Sequence, residues 1–232
     1  VHHQTEECRV ESLASLPQIL MDTLPLADEL FLVGHDQYSG KPHISDGVLD
    51  TALAGAVLGE LVLAGRLSVG EDTIVVVRDQ RPHSERVSDA ALAEILKQRE
   101  QHSVRAWVEY LRDHSRAMVA PRLVQAGLIE RIQVRAMLKQ TVRHKAVDTL
   151  RAAAPQARLR YMLDHPGNLD EQTAVLGGLV MVSNLDFVLG GGSGRETREA
   201  LGVMQRLLKT DLQSLVAGVE SAIAQIALSA RR

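Results

Sequence analysis

Twice in this chain an apolar, helix-like run ends in Ala-Gly and passes directly toward a strand: "LVLAGRL" at 61–67 and "LVQAGLI" at 123–129. Glycine is the residue that stops a helix in the left-handed conformation, because it has no Cβ to penalise a positive φ. The echo therefore predicts two copies of one unit, helix then glycine then hairpin. In the first copy Ser45 or Asp46 caps a helix reaching about Ala64, and "RLSV", "GED" and "TIVVV" make the hairpin. In the second, a helix over 103–127 buries Trp107 and Leu111 and is expected to break at Pro121, with a hairpin around "ERIQVRAMLKQT" (130–141).

This grammar also belongs to winged-helix DNA binders. A helix that reads bases needs Arg, Lys, Asn or Gln on its face, whereas 48–64 offers Asp50, Thr51 and Glu60 among Ala, Gly, Val and Leu. That helix reads as a packing element. On the residues alone three classes stay open: a membrane-surface adaptor, a nucleic-acid-binding regulator using bases elsewhere, and a protein-interaction scaffold.

The rest of the chain is mostly helical in pattern. "ELFLVGHD" (29–36) is a buried strand or short helix, and "SDAALAEILKQREQ" (88–101) is a helix behind a Ser-Asp cap. Further helices are expected at about 145–153, 157–164, 170–189, 194–208 and 210–229. "LGGGSGRETREA" (189–200) lacks a Gly-Lys-Ser/Thr ending and follows a helix, so it reads as a connection, with Ser193 and Glu196 as a capping box. The fold class is mainly α: a helical bundle core wrapped by amphipathic helices, with short β-hairpins after helix–Gly stops. Residues 1–20 read as an appended tail and 21–232 as a single domain.

Hydrophobic residues at 45% can fill a core, and aromatics at 3% mean it is built from Leu, Val, Ala and Ile. The single cysteine, Cys8, allows no internal disulfide and fits a reducing, cytoplasmic setting. No secretory signal is visible in 1–20, and the apolar run 173–190 is interrupted by Asn184 and Asp186, which suits a core helix better than a membrane span. The nine histidines show no metal-ligand spacing, and there is no Gly-x-Ser-x-Gly elbow. Asp28-Glu29 read as helix or turn acids. Neither metal, cofactor nor enzymatic chemistry is expected.

Charge is unevenly placed in a chain of net charge −3. Residues 1–60 hold ten acids against Arg9 and Lys41, whereas 131–160 hold eight bases (Arg131, Arg135, Lys139, Arg143, Lys145, Arg151, Arg158, Arg160) against Asp148. Such a local surplus points to an anionic partner. Met137 and Leu138 place an apolar tip inside it, to be inserted in a bilayer or packed in a core or dimer interface.

Several of these stretches resemble the Golgi phosphoprotein 3 (GPP34) family: "LPLADELFLVGHD", "GVLDTALAGAVLGELVLAGRLSV", "SDAALAEILKQ", "VRAWVEYL" and "RLVQAGLIE", in that order. The block from Glu60 to Leu67 is the most specific, and the Ala/Leu/Arg-rich style resembles bacterial members. The resemblance implies a mainly helical protein of the cytoplasm, peripheral at a membrane and not an enzyme. Eukaryotic members bind phosphatidylinositol 4-phosphate in a pocket of one tryptophan and three basic residues, and hold the cytoplasmic tails of Golgi enzymes. By spacing, the tryptophan position is Ser45 and the basic positions are Ala54, Asp113 and Arg116, of which Arg116 keeps its type. The second hairpin contributes to membrane contact or self-association in the family, making Arg131, Arg135, Lys139, Arg143 and Lys145 the membrane-facing candidates. Expected partners are an anionic membrane lipid and a protein client or second copy; nucleic acid is not expected.

Overall fold

The structure is a computed structural model that describes residues 22–136, 139–190 and 193–229. The expected tail, Cys8, and the tip residues Met137 and Leu138 lie outside the described residues.

The chain opens with α1 (Leu26–Val33), every residue of which is buried, so "ELFLVGHD" resolves as a helix. Next comes α2 (Asp46–Leu63), with 12 of its 18 residues buried. It touches α1, α3 (Arg86–Lys97), α4 (Val104–Gln125), α6 (Glu171–Val182) and α8 (Thr210–Ser229). A helix apolar on nearly every side can exist in water only when enclosed in this way. It is also closed to any nucleic-acid groove.

Small residues set the closeness of the bundle. A Cβ at Gly55 of α2 would stand 2.4 Å from Val219 Cγ2 of α8, and one at Gly218 would stand 2.6 Å from Val104 Cβ of α4. Because the second clash is with a branch point rather than a side-chain end, rotamer change cannot relieve it. Gly218→Ala is expected to destabilise the fold by about 1–3 kcal/mol in chemical denaturation. Combining it with Val104→Ala should give a loss smaller than the sum of the two.

The echoed motifs form the same turn. Gly65 and Gly127 have φ of +66° and +68°. In each, the glycine N–H donates to the carbonyl three residues back (Val62, Val124; both 3.0 Å), and the following N–H reaches the carbonyl of Leu61 or Leu123 at 2.8 and 3.0 Å. These bonds satisfy the last carbonyls of α2 and α4. Each turn feeds an antiparallel hairpin: β1 (Leu67–Val69) with β2 (Val75–Val77), and β3 (Ile129–Ala136) with β4 (Lys139–Ala146). The second hairpin is longer than 130–141, its eight rungs running from Ile129↔Ala146 to Ala136↔Lys139. The chain then continues through α5 (Thr149–Asp164), α6, α7 (Gly194–Arg206) and α8.

Several expected boundaries need correction. Helix α4 runs unbroken through Pro121, whose ring faces solvent while Val119, Ala120 and Leu123 are buried around it. Burying Val119 and Leu123 contributes about 1.5–3 kcal/mol each, enough to offset a proline penalty of roughly 3 kcal/mol. The two helices expected at 145–153 and 157–164 are one, α5, which carries Pro155 inside and is capped by Asp148, whose carboxylate accepts the Leu150 and Arg151 N–H groups. Glu85, not Ser88 or Asp89, caps α3, which starts at Arg86 and stops at Lys97; Ser88 is fully buried. The helix expected over 170–189 ends at Val182, because Asn184 takes a φ of 56° and a separate 3₁₀ turn follows at Asp186–Leu189. Ser193 and Glu196 do form a capping box. Helix α8 is long and apolar enough to cross a bilayer, but its Leu212, Leu215, Val216, Val219, Ala222 and Ile223 are buried in a helix packed on α2, α4 and α6.

Beneath α1 lies a buried charge network that the reading of Asp28-Glu29 as plain helix or turn acids missed. Arg122 of α4 donates through Nε to Asp28 (2.9 Å), through Nη2 to Glu60 (3.1 Å) and through Nη1 to Glu85. Glu60 Oε1 also accepts the Ala27 N–H at 2.9 Å, joining α2 to α1. Beside it, Arg158 of α5 pairs with Glu29, which is 0% exposed and also accepts the Leu24 N–H and the Gln172 amide. Burial pushes the Asp28 carboxyl up to about 7 against the pull of Arg122, and raises Glu29 against that of Arg158.

Candidate functional site

Between α4 and the β3–β4 hairpin, closed at one end by the start of α2, lies a groove of about 780 Å³. That volume is within the usual range for small-molecule sites, roughly 300–1,000 Å³. Its floor is Ala117, Ala120, Pro121 and Val124 from α4 with Val142 from β4; its polar groups are Asp46, Asp50, Asp113, Arg116, Gln125, Arg131 and His144. Strand alternation explains the hairpin's share, since Arg131 stands opposite His144 and both lie on the same face as Val142. Ser115 fixes the angle between α4 and α2 by donating to the Asp50 carbonyl at 2.9 Å.

Arg116 is already occupied. Its Nε donates to Asp50 Oδ1 at 2.8 Å and its Nη2 lies 2.9 Å from Asp46 Oδ1. Burial raises the Asp50 carboxyl despite that pairing, with Asp46 and Asp113 adding to the rise. At the hairpin side the field has the other sign: burial lowers the His144 imidazole, and the positive charges of Arg116 and Arg131 lower it further. The groove is therefore polarised, negative around Asp46 and Asp113, positive around Arg131.

The four positions of the resemblance fall unequally. Asp113 and Arg116 line the groove, and Ser45 is exposed as the residue preceding α2, with no capping bond from its side chain. Ala54 is 0% exposed inside the bundle and does not line it.

The hairpin bases divide between two faces. Arg131 and Arg135 are on the groove face and exposed; Arg143 and Lys145 are on the other, half-buried; Lys139 stands opposite Ala136 at the end of the ladder. No described carboxylate comes within ion-pair distance of Arg131, Arg135, Arg143, Lys145 or Arg151. The other two bases of the run are structural: Arg158 is in the core, and Arg160 pairs with Asp164 and donates to the Gly190 carbonyl. The surplus read from the sequence survives as a property of the hairpin and the start of α5, not of the whole run. Among the described residues no cluster of His, Cys, Asp and Glu could hold a metal ion.

Sequence reasoning missed Asp46, Asp50, Val142 and His144 as groove residues, because strand faces follow from where β3 begins and the α2–α4 contact is tertiary. The available signal was the pair of family positions Ser45 and Ala54, which bracket Asp46 and Asp50 along the sequence. Among curated proteins no sequence match is found. The family model of Golgi phosphoprotein 3 (GPP34) matches residues 26–226, from the first residue of α1 into the last turns of α8. With helix stops, hairpins and core helices all inside that span, the chain belongs to the Golgi phosphoprotein 3 family.

Proposed function

We propose that this protein is a non-enzymatic adaptor of the cytoplasm that docks peripherally on an anionic bilayer through the β3–β4 hairpin and carries a protein client there. The observation that carries this reading is the set of hairpin bases without described carboxylate partners. Paired bases would be neutral toward a membrane; unpaired ones near an anionic surface gain about 1 kcal/mol each, within a Debye length. Family membership supports the adaptor role in general. The lipid and the client are not named by it.

Vesicle flotation tests the docking. Phosphatidylcholine vesicles carrying phosphatidylserine should retain the protein at low salt and release it as salt rises, and phosphatidylcholine alone should not. Replacing Arg135, Arg143 and Lys145 together by alanine should weaken retention about a hundredfold. Absence of binding to anionic vesicles at low salt would refute the proposal.

A further inference from the structure

The described chain begins at Asp22, and Asp22 and Leu24 share a notch with Leu128, Arg151, Ala154 and Pro155. Its volume is about 30 Å³, too small for anything but water or the end of a side chain. The surface beside the notch is apolar and cationic at once. Val147, whose N–H extends the ladder to the Leu128 carbonyl at 3.0 Å, is 60% exposed, and Leu150 of α5 is 66% exposed. Lys145 and Val147 alternate onto one side of the strand end, and Leu150, Arg151 and Ala154 share a face of α5. Lys145 and Arg151 have no described carboxylate partner: Glu130 stands across the ladder from Lys145 without pairing with it, and Asp148 is engaged in capping α5.

An apolar face edged with bases calls for a cover that is apolar and edged with acids, and this chain carries one. Residues 10–21, "VESLASLPQILM", lie outside the described residues and join them at Asp22, at the notch itself. They bring Val10, Leu13, Leu16, Ile19 and Leu20, and the whole stretch 1–21 sets Glu6, Glu7 and Glu11 against Arg9. Extended chain advances roughly 3.3–3.6 Å per residue, so Glu11 has ample reach from Asp22 to both bases. A cover tethered in this way acts at a high effective concentration and needs little affinity of its own. We infer that residues 10–21 lie back on the face made by Lys145, Val147, Leu150 and Arg151, with an apolar side chain at the notch and Glu11 toward the two bases. The segment then occupies charges that a bilayer would use, and so competes with docking. That competition rests on the membrane-docking reading; the seat itself does not.

The test uses the full chain with a photoreactive benzophenone amino acid in place of Leu150, and a second variant with the same group in place of Leu228, which is comparably exposed at the end of α8. Irradiation without lipid should join position 150 to residues 10–21 of the same molecule, at a yield about tenfold above that from position 228. Equal yields from the two positions, adducts only between two copies, or no adduct on 10–21 overturn the inference. Phosphatidylcholine vesicles carrying phosphatidylserine, added at low salt, should lower the yield about tenfold in the protein that floats with them. An unchanged yield in floated protein overturns the competition and leaves docking standing. Failure to float removes the docking reading and the competition with it, while the lipid-free adduct still decides the seat.

Discussion

Arg122→Leu is expected to destabilise the fold by about 3–5 kcal/mol at neutral pH, the usual effect of removing one partner from a buried ionic cluster. The reason is arithmetic of charge: a single guanidinium serves Asp28, Glu60 and Glu85, and Asp28 and Glu60 are 2% and 7% exposed. Leucine fills the space and strands the carboxylates. Glu85 also caps α3, so that helix should loosen first. The loss should shrink in acid. An acid whose folded pKa is raised contributes stability that is fully present below its unfolded value and is lost as pH rises through the folded one. For Asp28 that window runs from 3.8 to about 7. In the unaltered protein His35 works against this trend: burial lowers it from 6.5 to about 4, so it adds stability as pH rises across that interval. The two oppose each other up to pH 6.5, and of this pair only Asp28 acts above it. Urea denaturation of both proteins at pH 5 and pH 8 checks the size and the sign; a loss at pH 5 equal to or larger than that at pH 8 contradicts the account.

Arg158→Leu is the second large effect, again about 3–5 kcal/mol, but with a different origin. Glu29 has one guanidinium partner, is 0% exposed, and already has its carboxyl raised by burial. Its other donors, the Leu24 N–H and the Gln172 amide, are neutral and cannot hold a charge there alone. Arg158 also donates to Thr173, so α5 loses a tie to α6 as well. The double change Glu29→Gln with Arg158→Leu should recover a large part of the loss, because no buried charge remains. If the double variant is as unstable as Arg158→Leu alone, the ion pair is not what the single change breaks.

How much of this was readable in advance depends on range. Gly65 and Gly127 were legible because a helix stop is written within a few residues, and the structure repeats it hydrogen bond for hydrogen bond. Pro121 misled because local propensity said "break" while the buried Val119 and Leu123 on either side decided otherwise. The partners of Asp28 and Glu29 lie 94 and 129 residues away, and no periodicity encodes such a distance. One clue was present. Aligning "LVLAGRL" on "LVQAGLI" places Glu60 against Arg122, and these two equivalent positions do touch. The groove stayed hidden for a related reason: Arg116 could be located by spacing, but its capture by Asp46 and Asp50 and the orientation of Arg131 and His144 exist only once α2, α4 and the hairpin meet.

The anchoring of α1 by Arg122, Arg158 and Gln172 has a consequence for biosynthesis. Helix α1 cannot complete its contacts until residues as remote as 158 and 172 have followed it out of the ribosome. At translation speeds of roughly 5–20 residues per second, that interval is on the order of ten seconds. Throughout it Leu26, Leu30 and Phe31, all 0% exposed in the finished fold, lack the α5 and α6 surfaces that complete their burial. Until then those apolar side chains are open to whatever shields greasy segments in the cell.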